Sequence, residues 1–280
     1  MNGMTRMIAS AVILSACILM GSMLCTAEPA PATQPADGKE LPKIRVAVVT
    51  GGHGFEKELF LKFFKGVEGI EFTHVETKAG EIFDSVDNFP YDVILLYNFG
   101  QKISDERRAN FLKLLDKGVG LFVLHHAIAA FPDWTAYNEL VGVNYYLKPT
   151  EVNGKTIRSG YKHDVDVKVH IEDPNCPIVQ GMKDYTIHDE TYSLYTVHPD
   201  VHVFLTTDEP TSEKAIGWVK SHPKTRICFI EHGHDHKAWE NPSFKQLITQ
   251  AIRWSAGRLP LGDTTPNAAT AASRPAAEKK

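Results

Sequence analysis

Short, almost uniformly apolar runs alternate with helix-length stretches through the first half of this sequence. Residues 44–49 (Ile-Arg-Val-Ala-Val-Val), 91–96 (Tyr-Asp-Val-Ile-Leu-Leu) and 120–124 (Gly-Leu-Phe-Val-Leu) are too short for buried helices. Runs of this kind suit strands covered on both faces, the situation of a parallel sheet flanked by helices. The first run ends in Thr50-Gly51-Gly52, a tight turn, and the third ends abruptly at His125-His126.

The intervening stretches carry helix signals. Leu59, Phe60, Phe63 and Phe64 share one face after the first strand. Ser104 is an N-cap followed by Asp105 and Glu106, and Lys117-Gly118 supplies a stop. Asn241-Pro242 opens a last helix through Phe244, Leu247, Ile248, Ile252 and Trp254. A further strand is expected over 70–75, and the second half is less regular, with strands over 164–171, 201–206, 214–219 and 225–230. The expected fold is therefore α/β and flavodoxin-like: a mostly parallel sheet with helices on both faces and an added antiparallel portion.

Flanking segments read differently. Arg6 precedes the apolar run 8–24, and Cys25-Thr26-Ala27 offers small residues for cleavage, so residues 1–27 are expected to be a signal peptide and the protein to be periplasmic or extracellular. A lipid anchor at Cys17, within Leu14-Ser15-Ala16-Cys17, and an uncleaved membrane anchor are the alternatives. Residues 28–42 form a Pro/Ala-rich linker, 43–260 the folded domain, and 261–280 a disordered tail. Only Cys176 and Cys228 fall within the domain, and the sequence leaves open whether they pair. A formal charge of −4 lacks the basic footprint of nucleic-acid or anionic-membrane binding, which favours a neutral or mildly polar small ligand.

Ligands of open α/β sheets bind outside the carboxyl ends of the strands, and that is where this chain places imidazoles. His53 follows the first strand, His125 and His126 the central one, and His232-Gly233-His234-Asp235-His236 the last core strand. His163 and the stretch His188-Asp189-Glu190-Thr191-Tyr192 add candidates. His74, His170, His198, His202 and His222 are read as ordinary surface histidines. His125, Glu190 and His234 are the expected catalytic groups, with His53, Asp189, Tyr192 and Asp235 binding substrate and Trp134 and Trp239 offering sugar-stacking faces. Histidines converging from different strands also suit a divalent ion, zinc first, held by His53, His125 and His234 with a carboxylate completing the set. Neither a G-x-G-x-x-G nor a Walker lysine accompanies Gly51-Gly52-His53-Gly54, and no G-x-S-x-G elbow exists.

The ordered string of motifs resembles the ThuA-like (trehalose utilisation) family, related in fold to class I glutamine amidotransferases. It comprises Val49-Thr50-Gly51-Gly52-His53, Tyr91-Asp92-Val93, Gly118-Val119-Gly120-Leu121-Phe122-Val123-Leu124-His125, Asp189-Glu190-Thr191-Tyr192, Gly233-His234-Asp235, Trp239 and Arg253-Trp254. The resemblance implies that His125 stands where amidotransferases carry their nucleophilic cysteine and that His234 falls near their catalytic histidine, so glutaminase chemistry is not expected. Where many members show His-Pro this chain has Cys176-Pro177, and no role of that histidine carries over. The resemblance further implies work on sugars, including 3-keto derivatives supplied by a partner dehydrogenase. Proton transfer beside a carbonyl, with Glu190 or His234 as base and a second histidine or metal polarising the oxygen, would give isomerisation or elimination. Metal-dependent hydrolysis is a further option, and a non-catalytic sugar-binding protein on the same fold is the alternative from a different class.

Overall fold

The computed structural model describes residues 41–267; the expected leader, its processing at Ala27 or Cys17, and most of the linker lie outside the described residues. The strands are β1 (Ile44–Gly51), β2 (Ile70–Glu76), β3 (Val93–Asn98), β4 (Gly120–Leu124), β5 (Val143–Asn144), β6 (Thr150–Val152), β7 (Lys155–Ile157), β8 (Gly160–Ile171), β9 (Tyr185–Ser193), β10 (Thr196–Val197), β11 (Val201–Thr207), β12 (Ala215–Lys220) and β13 (Ile227–Ile230). The helices are α1 (Lys57–Phe64), α2 (Asp105–Asp116), α3 (Thr135–Val141), α4 (His236–Trp239) and α5 (Pro242–Ser255).

Nine strands form one sheet in the order β2-β1-β3-β4-β13-β12-β11-β8-β9. The first five pair in parallel, and β12, β11, β8 and β9 continue the sheet antiparallel. This is the flavodoxin-like strand order with the expected antiparallel extension. Side chains alternate across it. Val46, Val48, Leu95 and Phe122 face a layer containing α1 and α5, while Ala47, Val49, Ile94, Leu96, Leu121 and Val123 face α2 and α3. Close layering needs Gly120: a Cβ there would lie 2.3 Å from the Ser255 carbonyl oxygen of α5.

Local signals largely set the helices. The Ser104 side chain accepts from Arg107 N, and the Asn241 side chain accepts from Ser243 N and Phe244 N ahead of Pro242. On α1, Phe60, Phe63 and Phe64 are buried, but Leu59, expected on that face, is exposed, because it lies roughly a quarter turn from the face centre.

Cys176 and Cys228 are both buried free thiols. Burial pushes the Cys176 thiol up to about 12 and likewise raises Cys228 well above the usual thiol range, so neither offers a thiolate nucleophile. Part of the segment expected to be a tail from residue 261 is held in place; residues 268–280 lie outside the described residues. Thr265 O accepts from His202 Nδ1, and Asn267 Nδ2 donates to Val203 O, which ties residues 265–267 to β11. Backbone groups at a strand edge are strong partners even for a segment with no apolar periodicity.

Candidate active site

The carboxyl ends of β1, β4 and β13 converge with β9 on one group of side chains. His125 leaves β4 at φ 54°, in the left-handed region that costs a non-glycine residue on the order of 1–2 kcal/mol. That turn aims its fully buried ring sideways, where Nδ1 lies 2.7 Å from the Glu231 carbonyl oxygen. A carbonyl only accepts, so Nδ1 carries the proton, and in the neutral ring Nε2 keeps a lone pair. Around Nε2 lie Glu190 Oε2 at 3.1 Å, His234 Nδ1 at 3.3 Å and the Tyr192 hydroxyl at 3.0 Å. His234 Nδ1 stands 3.4 Å from Glu190 Oε2, and His163 Nδ1 stands 3.2 Å from Glu190 Oε1.

Electrostatics follow from this crowding. Burial works to raise the Glu190 carboxyl, but its close contacts with His125 and His234 override it and hold the group well below the usual carboxylate range. The Glu190 contact raises His234, against burial. His53, whose ring packs 4.5 Å from that of His126, is lowered by burial and then by His125. His126 is held neutral by burial; its Nε2 donates to Tyr97 O.

Asp189, expected to touch substrate, also braces the site. Its carboxylate accepts from Glu190 N at 2.8 Å, Gly233 N at 2.7 Å and His234 N at 2.9 Å, binding the two segments that carry Glu190 and His234. The Gly233 carbonyl accepts from the Tyr97 hydroxyl and from Trp239 Nε1. Trp239 is therefore buried and holds the turn rather than facing a sugar. Trp134 is core as well, packed on Phe111, Phe131 and Tyr137. Asp235 caps α4 through Lys237 N. It lines a depression with His163, Asp164, His188, Asp189 and His234.

The pocket at the histidine cluster, about 320 Å³, lies at the small end of the roughly 300–1,000 Å³ typical of small-molecule sites. His53, His126, His163, Glu190 and Tyr192 line it, together with Phe99, Ile128, Tyr145, Leu147, Arg158, Ser159 and Tyr161. His53 sits at its wall because β1 ends in a turn only glycine permits: Gly52 has φ 77°, and a Cβ there would lie 1.8 Å from the Phe99 carbonyl oxygen. Residues 145–161 carry no expectation from the sequence, which starts a strand only at Asp164. In the structure β8 starts at Gly160 and carries a register shift between Lys162 and Val165, with Asp164 at φ 57°. A bulge of this kind re-aims neighbouring side chains beside a site.

Residues 45–255 match the family described as ThuA, trehalose utilisation. The chain belongs to the ThuA family. Among solved structures it resembles a ThuA-like protein from Parabacteroides merdae, with a TM-score of 0.64 and 16% identity, covering 76% of this chain and 90% of that one. A ThuA-like protein from Bacteroides uniformis gives 0.60 and 17%, covering 80% and 95%. At these identities the likeness is one of fold. No curated protein matches in sequence.

The metal set expected from the sequence changes one member. Among the described residues, His125, Glu190 and His234 bring donor atoms together, and His53 is not among them. Their spacings of 3.1, 3.3 and 3.4 Å fit a tetrahedral ion, whose bonds of about 2.0–2.1 Å set ligands about 3.3–3.4 Å apart.

Proposed function

We propose that this ThuA protein is an exported carbohydrate enzyme that moves a proton at a carbon beside a sugar carbonyl, assisted by a divalent ion on His125, Glu190 and His234. The observation that carries the reading is the fixed tautomer of His125. Its Nε2 lone pair, beside the Tyr192 hydroxyl, also meets a carboxylate oxygen and a second imidazole nitrogen, an arrangement that suits a cation at the centre. Export rests on the leader signals in residues 1–27. The sugar assignment rests on the family description and on a pocket walled by tyrosines.

A bound ion would supply Lewis-acid polarisation of the sugar oxygen. Glu190, engaged by three histidines and depressed in basicity, is a poor base, and that role passes to His53, neutral and on the pocket wall. His53 takes the proton from carbon, and the C–H electron pair moves toward the carbonyl oxygen. Returning the proton to the former carbonyl carbon, while the adjacent hydroxyl passes its own proton to the oxyanion, completes an isomerisation; loss of a β-leaving group instead completes an elimination.

Elemental analysis of the purified protein tests the centre, wild type beside His125→Ala and His234→Ala. Near-stoichiometric zinc, manganese or nickel in the wild type alone is the expected result, followed by turnover in a screen of keto-sugars. Metal-free wild type overturns the metal assignment, and saturable sugar binding without product would favour a binding protein.

A further inference from the structure

The inner half of the pocket holds the histidines and Glu190, but its outer half is built by one excursion of chain. Tyr145, Leu147, Arg158, Ser159 and Tyr161 all come from the segment between β5 and the start of β8, which folds out as the β6-β7 hairpin. Within that wall Arg158 is the only permanent cation, and among the described residues it takes part in no ion pair. Lys237, beside the neighbouring histidines, is by contrast paired to Asp164 at 2.6 Å. Arg158 acts instead on Tyr145, whose phenol burial raises and whose shift the guanidinium opposes.

The charges facing the pocket do not balance. Glu190 is the one carboxylate among its lining residues, and its two oxygens are committed to His125, His234 and His163. No lining acid is left for Arg158. A guanidinium presents a planar fork that matches a carboxylate or phosphate through two parallel hydrogen bonds. Beside it Tyr161, 65% exposed, offers an aromatic face to a sugar ring.

We propose that the 145–161 excursion forms a second subsite for an oxyanion carried by the sugar, with Arg158 as its recognition residue. The substrate class is then a sugar acid or sugar phosphate, with its reactive carbon at the histidine cluster and its anionic end at the hairpin. This rests on the carbohydrate reading of the pocket, and it refines the neutral ligand expected from overall charge: a net charge summed over the surface does not describe the field inside one cleft.

The test is calorimetric titration of the full protein with glucuronate, glucose 6-phosphate and glucose, for wild type, Arg158→Gln and Arg158→Lys, at two salt concentrations. Glucuronate and glucose differ only in the charged group at one carbon, and the phosphate arm separates the two sources of the oxyanion. Wild type is expected to prefer at least one anionic probe over glucose by about tenfold or more. That preference should weaken with salt, vanish in Arg158→Gln and return in part in Arg158→Lys. Equal affinities for glucose and both anions, an anionic preference surviving in Arg158→Gln, or no measurable binding of either anion overturns the proposal. Metal content, read separately, is unaffected by Arg158→Gln, so failure of this subsite and failure of the metal centre remain distinguishable.

Discussion

His125 Nδ1 and the carbonyl oxygen of Glu231 lie 2.7 Å apart, so the last core strand decides which nitrogen of the central histidine faces the pocket. A ligand or base is thereby oriented by backbone, and no side-chain substitution at 231 removes the acceptor. With Nε2 so oriented, His125→Ala, Glu190→Gln and His234→Ala are each expected to weaken metal binding by at least about 100-fold, while His53→Ala leaves stoichiometry intact. Affinity should rise with pH, because His234, raised by Glu190, must shed its proton before it can ligate. Metal titrations from pH 5.5 to 8 on these variants check both statements; pH-independent binding would contradict the second.

Asp189→Asn should loosen the same centre from behind. One oxygen, Oδ1, serves Glu190 N and His234 N, while Oδ2 serves Gly233 N. An amide keeps the first function but turns an NH₂ toward the Gly233 N–H, leaving donor against donor in a buried space. The expected cost is about 2–3 kcal/mol of stability, with a 10–100-fold loss of metal affinity. Chemical denaturation and metal titration read the two effects. Unchanged metal affinity in a destabilised variant would limit Asp189 to a structural role.

The strands, caps and strand-end histidines were legible because each is a local pattern: a short apolar run, Ser104 or Asn241 before a helix, His125 directly after Leu124. The burial of Trp134 and Trp239 and the bracing by Asp189 were not legible, for a shared reason. A carboxylate or indole near a predicted site has the same spelling whether it faces ligand or supports the backbone behind it, and only the partners, here three N–H groups and the Gly233 carbonyl, decide. Arg158 and Tyr161 were invisible for another reason. They reach the pocket through a hairpin and a bulge, and neither has a periodicity that points across the fold.

Glu231 gives a pH dependence of stability with a definite sign. The Tyr195 hydroxyl lies 2.7 Å from both Ala215 O and Glu231 Oε2, yet it has one proton to give. Both contacts are satisfied when Tyr195 donates to Ala215 and a protonated Glu231 donates to Tyr195. Burial accordingly lifts this carboxyl from its ordinary 4.5 to about 8, against the hydrogen bonds from Tyr195 and Ser212. A folded-state value above the unfolded one means that its contribution is fully present below about 4.5 and is lost as pH rises toward about 8, by roughly 3–5 kcal/mol. Glu231→Gln mimics the neutral acid and should flatten that part of the profile. Urea midpoints at pH 5 and pH 8.5 measure it, and an unchanged slope in the variant would remove Glu231 as the cause.

Trp134 and Tyr161 separate core from ligand contact by opposite signatures. Trp134 is buried among Phe111, Phe131 and Tyr137, with the Arg108 guanidinium 5.8 Å over its ring, and no face of it borders the pocket. Trp134→Ala should cost about 3–5 kcal/mol of stability through the cavity it leaves, with KM unchanged in whatever fraction stays folded. Tyr161, two-thirds exposed and edge-on to His163, gives up little packing on truncation. Tyr161→Ala should leave the denaturation midpoint within about 0.5 kcal/mol of wild type while weakening sugar binding several-fold, since a stacked ring contributes about 0.5–1.5 kcal/mol. Denaturation and sugar titration on the same two proteins give the answer. If Trp134→Ala weakens binding at full stability, or Tyr161→Ala unfolds the domain and spares binding, the roles assigned to these two residues are reversed.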